Sequence, residues 1–253
     1  MERDRPYVMS LAGLDPSAGA GLLADIKTFE AQHTYGLGVC TALTVQTDQQ
    51  FLSVDWLPAA RIIAQAEPLL KKFMPAYCKI GIMADVPTLL EVLQALHTLR
   101  PGIRIVLDPV LKASAGFSFH ADGQAIAWKA VLPYLYLLTP NYNEALALNK
   151  LPPDADGQAA ARALSRHCAV LLKGGHRPDR MGWDTLYCAD GELDLSPGDQ
   201  PVSAKHGSGC VLSAAITAQL ALGYSLPDAC VNGKAYTENF LGSHSSLLGY
   251  HLL

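Results

Sequence analysis

Short apolar runs almost free of charge alternate along this chain with segments whose apolar residues recur at helical spacing, and few architectures accommodate that order. Residues 7–12, "YVMSLA", read as a buried strand, 13–21 as a glycine-rich turn, and 22–32 as a helix with apolar residues at 22, 23, 26 and 29. The stretch 36–46, "GLGVCTALTVQ", is rich in β-branched and small apolar residues and suits a second, central strand. Pro58 is placed to open a helix that runs to about Phe73, and residues 77–83, "YCKIGIM", read as extended. Asp85 and Pro87 mark the start of a further helix, which Pro101 and Gly102 end. Three later strands are expected to stop at Asp108, at Thr139 and within 169–175, each followed by polar or glycine-containing residues and a helical segment. "DTLYC" from Asp184, with Gly191 and Glu192 beyond it, predicts an antiparallel hairpin at the sheet edge. Two helices, 208–222 and 226 to about 240, fill the last third. The economical solution is an α/β fold, a three-layer α/β/α sandwich with a mostly parallel central sheet and its chemistry beyond the carboxyl ends of the strands. No internal repeat or long linker interrupts it, so residues 1–253 read as a single domain.

The 253 residues, 50% hydrophobic and 17% charged, suffice for a sizeable core, which excludes a disordered or fibrous chain. Twenty-three acidic against 19 basic residues leave a net charge of -4, with no general attraction for nucleic acid or an anionic membrane. A small-molecule or protein partner is expected instead. The apolar stretch 7–14 stops at Asp15 without a secretory cleavage pattern, and the most apolar segment, 211–222, carries Ser213, Thr217 and Gln219. The expected compartment is therefore the cytoplasm, with no membrane segment. The six cysteines show no CxxC pair and no local zinc spacing, and read mostly as reduced core residues.

Gly19, Gly21 and Ala24 satisfy GxGxxA, but the next strand ends in "TALTVQ" without the acidic residue that a dinucleotide site needs about 20 residues on. That reading is set aside. The phosphate loop GxxxxGK[ST] is absent as well, so an ATP enzyme built on this chain holds its triphosphate by other means. Asp25 follows Leu22 by three residues and precedes Phe29 by four, beside an apolar stripe, as either a boundary carboxylate facing water or a ligand-binding one. In "KHGSGCVLSAAITAQLALG", Gly207, Ser208, Gly209 and Cys210 precede a long apolar helix whose free N–H groups converge on one place, a credible oxyanion or phosphate hole. Cys210 is there either a proton acceptor or nucleophile, its thiolate favoured by the helix field, or a buried inert thiol. His206 is either functional or a structural donor, and neither residue belongs to an evident local triad. Asp108, Asn141 and Glu144 stand at strand ends, where hard oxygen donors suit Mg2+; equally, Asn141 followed three residues later by Glu144 is close to a capping box. Lys173 ends a strand in "LLKGGH", where a cation meets phosphates or simply water.

In their order and combination, "AGLDPSAGAGLLADIKTF" at 12–29, "TALTVQT" at 41–47, "VLDPVLKASAG" at 106–116, "LTPNYNEA" at 138–145, "LLKGGH" at 171–176 and "HGSGCVLSAAI" at 206–216 resemble the hydroxymethylpyrimidine and phosphomethylpyrimidine kinases of thiamine biosynthesis, within the ribokinase-like superfamily. The resemblance implies a ribokinase-like sandwich that uses ATP and Mg2+, with a monovalent cation such as K+ as a possible addition, and that acts as a homodimer. The implied reaction moves the terminal phosphoryl group of ATP to 4-amino-5-hydroxymethyl-2-methylpyrimidine and then to its monophosphate. Carried over residue by residue, Gly207, Ser208, Gly209 and Cys210 form the anion hole, with Cys210 as catalytic base. The pyrimidine site falls on Gly13, Asp25, Gln46 and Val110, with Ile82 in the apolar wall over the ring. Asp108, Asn141, Lys173, His206 and Lys234 fall on the nucleotide side, and Glu144 with Asp108 on the metal.

The chain departs from the family pattern at four places. Leu14 and Ala18 stand where the pattern reads "GSDPSGGAG", Ile82 replaces a methionine, and Ser114 takes the place of a lysine, with Lys112 two places earlier. Lys112 is a candidate for neutralising a substrate phosphate, and Gly116 with the "FSFHADG" that follows for a lid. Two other functions fit part of the pattern: a pyridoxal, pyridoxine or pyridoxamine kinase, and a catalytically weakened vitamin-precursor sensor. Gln46 favours the pyrimidine, since its amide satisfies an aminopyrimidine edge that pyridoxal lacks.

Overall fold

The computed structural model describes residues 5–111, 125–175, 177 and 180–251. Lys112, Ser114 and Gly116 lie outside the described residues, as does the segment 117–123. The first unit is β1 (Tyr7–Leu14), buried at every position but its first and last, followed by α1 (Gly21–Ala31) and β2 (Tyr35–Gln46). Then come β3 (Phe51–Trp56), α2 (Ala59–Phe73), β4 (Tyr77–Ile80), α3 (Val86–Leu99) and β5 (Arg104–Leu107). After α4 (Ala125–Val131) the chain forms β6 (Leu137–Leu138), α5 (Tyr142–Leu148), α6 (Gly157–Leu164) and β7 (Ala169–Leu172). A hairpin of β8 (Asp184–Cys188) and β9 (Gly191–Leu195) precedes α7 (Ser208–Ala221) and α8 (Leu226–Gly242).

The nine strands make one sheet in the order β3-β2-β1-β4-β5-β6-β7-β8-β9. Pairing is parallel from β2 through β7 and antiparallel for β3 at one edge and for β8 and β9 at the other. One face carries Met9, Leu11, Cys78, Ile80, Ile105 and Leu107 against Ile62 and Leu70 of α2 and Leu89, Leu93 and Leu96 of α3. On the other face, Val106 and Leu171 meet Leu212, Ile216 and Leu220 of α7, while Val8 meets Phe29 of α1 and Ala214 and Ala218 of α7. The α/β sandwich expected from the sequence is thus the observed architecture, edge hairpin included.

Two strand expectations need correction. Burial along β2 alternates, and β2 lies next to the edge because β3, which the sequence reading omitted, pairs with it antiparallel. The apolar run suits a central strand, yet Leu43 and Val45 within it are exposed. The extended segment 77–83 is strand only to Ile80, and the strand ending near Thr139 is only two residues long.

Helix boundaries follow local chemistry. Asp85 caps α3 by accepting the Thr88 N–H at 2.7 Å, and Pro58 precedes α2 as anticipated, although α2 also contains Pro68. All six cysteines are free, with Cys78 and Cys230 buried and the others half-buried. No helix among the described residues is long and apolar enough to cross a membrane. β1 has β2 on one side and β4 on the other: the chain runs outward from β1 through β2 and β3, then crosses back to β4 and continues in the opposite direction. In open parallel sheets such a switch point opens a crevice beyond the strand ends.

Candidate active site

At that crevice the loop after β1 is folded around Asp15. Its Oδ1 accepts the Ser17 N–H at 2.9 Å and the Ser17 hydroxyl at 2.8 Å, and its Oδ2 accepts the Ala20 N–H at 2.9 Å. Ala18 takes a left-handed conformation, φ 56°, at a position where the family pattern has glycine. Gly21 opens α1 at φ 59°, and a Cβ there would lie 2.2 Å from the Gly13 carbonyl oxygen. Gly207, at φ 76°, is likewise irreplaceable, because a Cβ would lie 2.1 Å from the Gly19 carbonyl oxygen. The glycine loop and the turn that opens α7 therefore touch backbone to backbone. His206 fastens them: its Nε2 is 2.8 Å from Asp15 Oδ2, and its N–H donates to Leu247 O at 2.9 Å. Its ring is turned to the glycine loop, not to the nucleotide side where the resemblance placed it.

In the α7 turn the first helical bond is the one from the Val211 N–H to the Gly207 carbonyl, which leaves the N–H groups of residues 208–210 free of helix bonds. Cys210 stands in this first turn of α7. Burial pushes this thiol above its usual range, and Lys79 pulls it back in part. The resting group is thus the thiol, and the thiolate expected from the helix field alone is outweighed by burial. Asp25 also differs from its expected role, direct contact with a ring. It is completely buried, with its two oxygens 2.9 and 2.7 Å from the Lys79 ammonium, and Oδ2 also accepts the Ser10 hydroxyl at 2.6 Å. Burial alone would lower Lys79, but Asp25 holds it above the ordinary lysine range. Lys79 and Ser10 escaped the sequence reading, although a lysine inside the apolar run "YCKIGIM" was a visible signal.

On the other side of the turn, Lys173 stands 2.7 Å from Asp108 and 3.8 Å from Glu144. Asp108 is also within 3.5 Å of Ser213 and 3.4 Å of Thr139. A Cβ on Gly209 would lie 3.4 Å from Lys173 Nζ and 3.5 Å from Asp108, so the absent side chain brings the turn against this group. Asn141 and Glu144 do form the capping box, at 2.9 and 2.7 Å, and Glu144 faces Lys173 at the same time. Burial pushes the Glu144 carboxyl up to about 7 against the pull of Lys173. Among the described residues no group of three His, Cys, Asp or Glu could hold a metal ion. Mg2+ bound with a nucleotide takes only one or two carboxylates, the rest of its shell being water and phosphate oxygens, and Asp108 and Glu144 fit that requirement.

The remaining expected residues are placed unequally. Lys234 is spent on Asp184 at 3.0 Å, the Gly182 carbonyl at 2.7 Å and Glu238 at 3.3 Å. Asp184 in turn accepts the Gly174 N–H, so Lys234 braces the loop that follows Lys173. At Gly13 a Cβ would meet Ile82 Cδ1 at 2.4 Å, so these two residues of the expected pyrimidine site are immediate neighbours. Gln46 ends β2 half-buried, its Nε2 2.9 Å from Thr44 Oγ1. Val110 follows Asp108 in a tight turn, its N–H donating to the Asp108 carbonyl at 2.9 Å.

Comparison with known proteins places these features in context. The family model described as phosphomethylpyrimidine kinase matches residues 15–251. A hydroxymethylpyrimidine/phosphomethylpyrimidine kinase of Rhizobium meliloti is 35% identical over 90% of this chain and 87% of its own length. Among solved structures, a phosphomethylpyrimidine kinase from Clostridium difficile superposes with a TM-score of 0.76 at 30% identity, covering 92% of this chain and 98% of that one. The Staphylococcus aureus pyridoxal kinase in complex with ADP superposes with a TM-score of 0.82 at 28% identity, covering 95% and 89%.

Proposed function

The chain belongs to the phosphomethylpyrimidine kinase family, and from that membership and the site geometry we propose that it moves the terminal phosphoryl group of ATP to the hydroxymethyl oxygen of 4-amino-5-hydroxymethyl-2-methylpyrimidine, and then to the resulting monophosphate. The observation that carries this reading is the position of the 207–210 turn, with Gly207 against the glycine loop and Gly209 against Asp108 and Lys173. An alcohol held beside the loop and a triphosphate held along Asp108, Glu144 and Lys173 then meet at one set of helix-opening N–H groups. Once ionised, the Cys210 sulfur takes the hydroxyl proton as the oxygen attacks the terminal phosphorus in line; that O–P bond forms, the bond to the β-phosphate oxygen breaks, and ADP leaves. The N–H groups of residues 208–210 balance the phosphoryl oxygens, and Gln46 reads the aminopyrimidine edge. Mg2+ held by Glu144 and Asp108 would supply charge neutralisation on the phosphates. A monovalent cation such as K+, a homodimer and a cytoplasmic setting complete the reading.

A second reading, a pyridoxal kinase, is favoured by the close superposition with the S. aureus enzyme. One experiment tests both: product masses after incubation with Mg-ATP and, separately, the pyrimidine alcohol, its monophosphate and pyridoxal, with a Cys210→Ala control. Two successive additions to the pyrimidine, reduced at least about a hundredfold in the control, are expected. A preference for pyridoxal would overturn the assignment in favour of vitamin B6 salvage, and binding without turnover would make the protein a sensor.

A further inference from the structure

One buried side chain at the crevice has no part in the proposed reaction, yet stands next in sequence to the turn that opens α7. His206 is 6% exposed, with its Nε2 2.8 Å from Asp15 Oδ2. Asp15 is the acceptor for the Ser17 and Ala20 N–H groups and the Ser17 hydroxyl, so the proton of the pair sits on His206 Nε2. Burial alone would raise the Asp15 carboxyl, but the bonds from His206, Ser17 and Ala20 hold it below the usual carboxylate range. The other ring nitrogen, Nδ1, is buried with no hydrogen-bond partner among the described residues. A buried nitrogen left unpaired costs stability, so a ring kept for packing alone is better served by an apolar side chain. The surroundings give this ring another use. The His206 N–H donates to Leu247 O at 2.9 Å. A Cβ on Gly19 would lie 2.7 Å from His206 Cδ2 and 2.7 Å from Leu248 Cδ2, so ring and leucine both rest on the bare backbone of the glycine loop. Gly207, the next residue, meets that loop at the Gly19 carbonyl. A shift of the ring is therefore a shift of Gly207 and of the N–H groups of residues 208–210 behind it.

We propose that His206, anchored by Asp15, is a positioning residue for phosphoryl transfer: it sets where the N–H groups of the 207–210 turn stand, and so how well they match the phosphoryl group in flight, without touching substrate or nucleotide. The proposal rests on the reading of that turn as the phosphoryl cradle. Such donors act only at their aligned distance, and a misplacement of about 1 Å by a residue outside the chemistry costs on the order of a hundredfold in rate.

The test separates alignment of the turn from binding and from folding. His206→Leu removes the bond to Asp15 at similar volume, whereas His206→Gln places an amide N–H at the level of Nε2 and restores it. In His206→Leu, kcat is expected to fall about a hundredfold with KM for ATP within about twofold of the unaltered protein, and His206→Gln to recover most of the loss. A second readout needs no acceptor. It is the affinity for ADP with Mg2+ and aluminium fluoride, a mimic of the phosphoryl group in flight, set against that for ADP and Mg2+ alone by isothermal titration calorimetry. His206→Leu is expected to weaken the fluoride complex about tenfold and to leave ADP binding unchanged. Equal losses in both affinities, a change confined to KM, unchanged values, or a His206→Gln protein no better than His206→Leu overturns the proposal. So does an unaltered protein that binds the fluoride complex no more tightly than ADP, since it has no such cradle. If circular dichroism shows His206→Leu unfolded, Gly19→Ala replaces it: the added methyl displaces the ring with every hydrogen-bonding group of the pair retained. The same selective loss is expected, and its absence refutes the idea. Should the unaltered protein phosphorylate neither the pyrimidines nor pyridoxal, the proposed function falls while the fluoride complex still decides on His206.

Discussion

Glu144 accepts the Asn141 N–H, closes the first turn of α5 and stands 3.8 Å from the Lys173 ammonium, all from a nearly buried position. Burial pushes its carboxyl from an ordinary 4.5 up to about 7, so between those pH values the folded protein holds a proton that the unfolded chain has released. Stability from this residue is therefore complete below pH about 4.5, declines as pH rises and is lost above about 7. Glu144→Gln keeps the position neutral throughout. Urea midpoints of the variant are expected to differ less between pH 5 and pH 8 than those of the unaltered protein, and equal differences would show that the buried carboxyl is not the source of the slope. Above pH 7 the same ionised group is the one suited to a nucleotide-bound cation, so the position trades stability for charge.

At the scale of elements, α2 contains an internal disagreement between propensity and fold. Pro68 lacks an N–H for the Ala64 carbonyl one turn earlier, and it is exposed, so no packing demands it. Pro68→Ala is expected to stabilise the protein by about 1–3 kcal/mol, read as an increase in urea midpoint with unchanged activity. Elements with strong local signals, such as α3 with its Asp85 cap and α7 with its glycine start and apolar body, were legible in the sequence. Strand β3 was not, because "FLSVDW" is mostly half-exposed and includes Ser53 and Asp55, so neither a buried run nor a clean alternation marks it. The site divides in the same way. Gly207, Gly209 and Cys210 form a local cluster, whereas Lys79 meets Asp25 across 54 positions and His206 meets Asp15 across 191. Such pairs are set by strand order, which no local spacing encodes. The same limit hid the partners of Asp25, Ser10 and Lys79, which lie on two neighbouring strands.

For the molecule as a whole, the apolar surface of the β2 and β3 ribbon is notable. Leu43, Val45 and Leu52 are 47%, 52% and 66% exposed beside an edge strand. Exposed apolar edges are a liability in a monomer and are commonly covered by another copy. A homodimer closed through this ribbon is expected to fall to monomer on Leu52→Glu in sedimentation velocity, with the circular dichroism spectrum unchanged. A dimer that persists would place its interface elsewhere.

The contact of Gly207 with the Gly19 carbonyl joins the start of the chain to its last third. The nine strands among the described residues are complete by Leu195, whereas the 207–210 turn and helices α7 and α8 come later. A ribosome making this protein therefore presents, for the few seconds needed to add some fifty residues, a nascent chain that owns these strands but not the turn that completes the candidate site. During that interval Val106, Leu137 and Leu171 lack their cover. The enzyme is thus most in need of a chaperone just before it becomes one able to work, and a message truncated after the last strand yields a sticky sheet instead of a weak kinase.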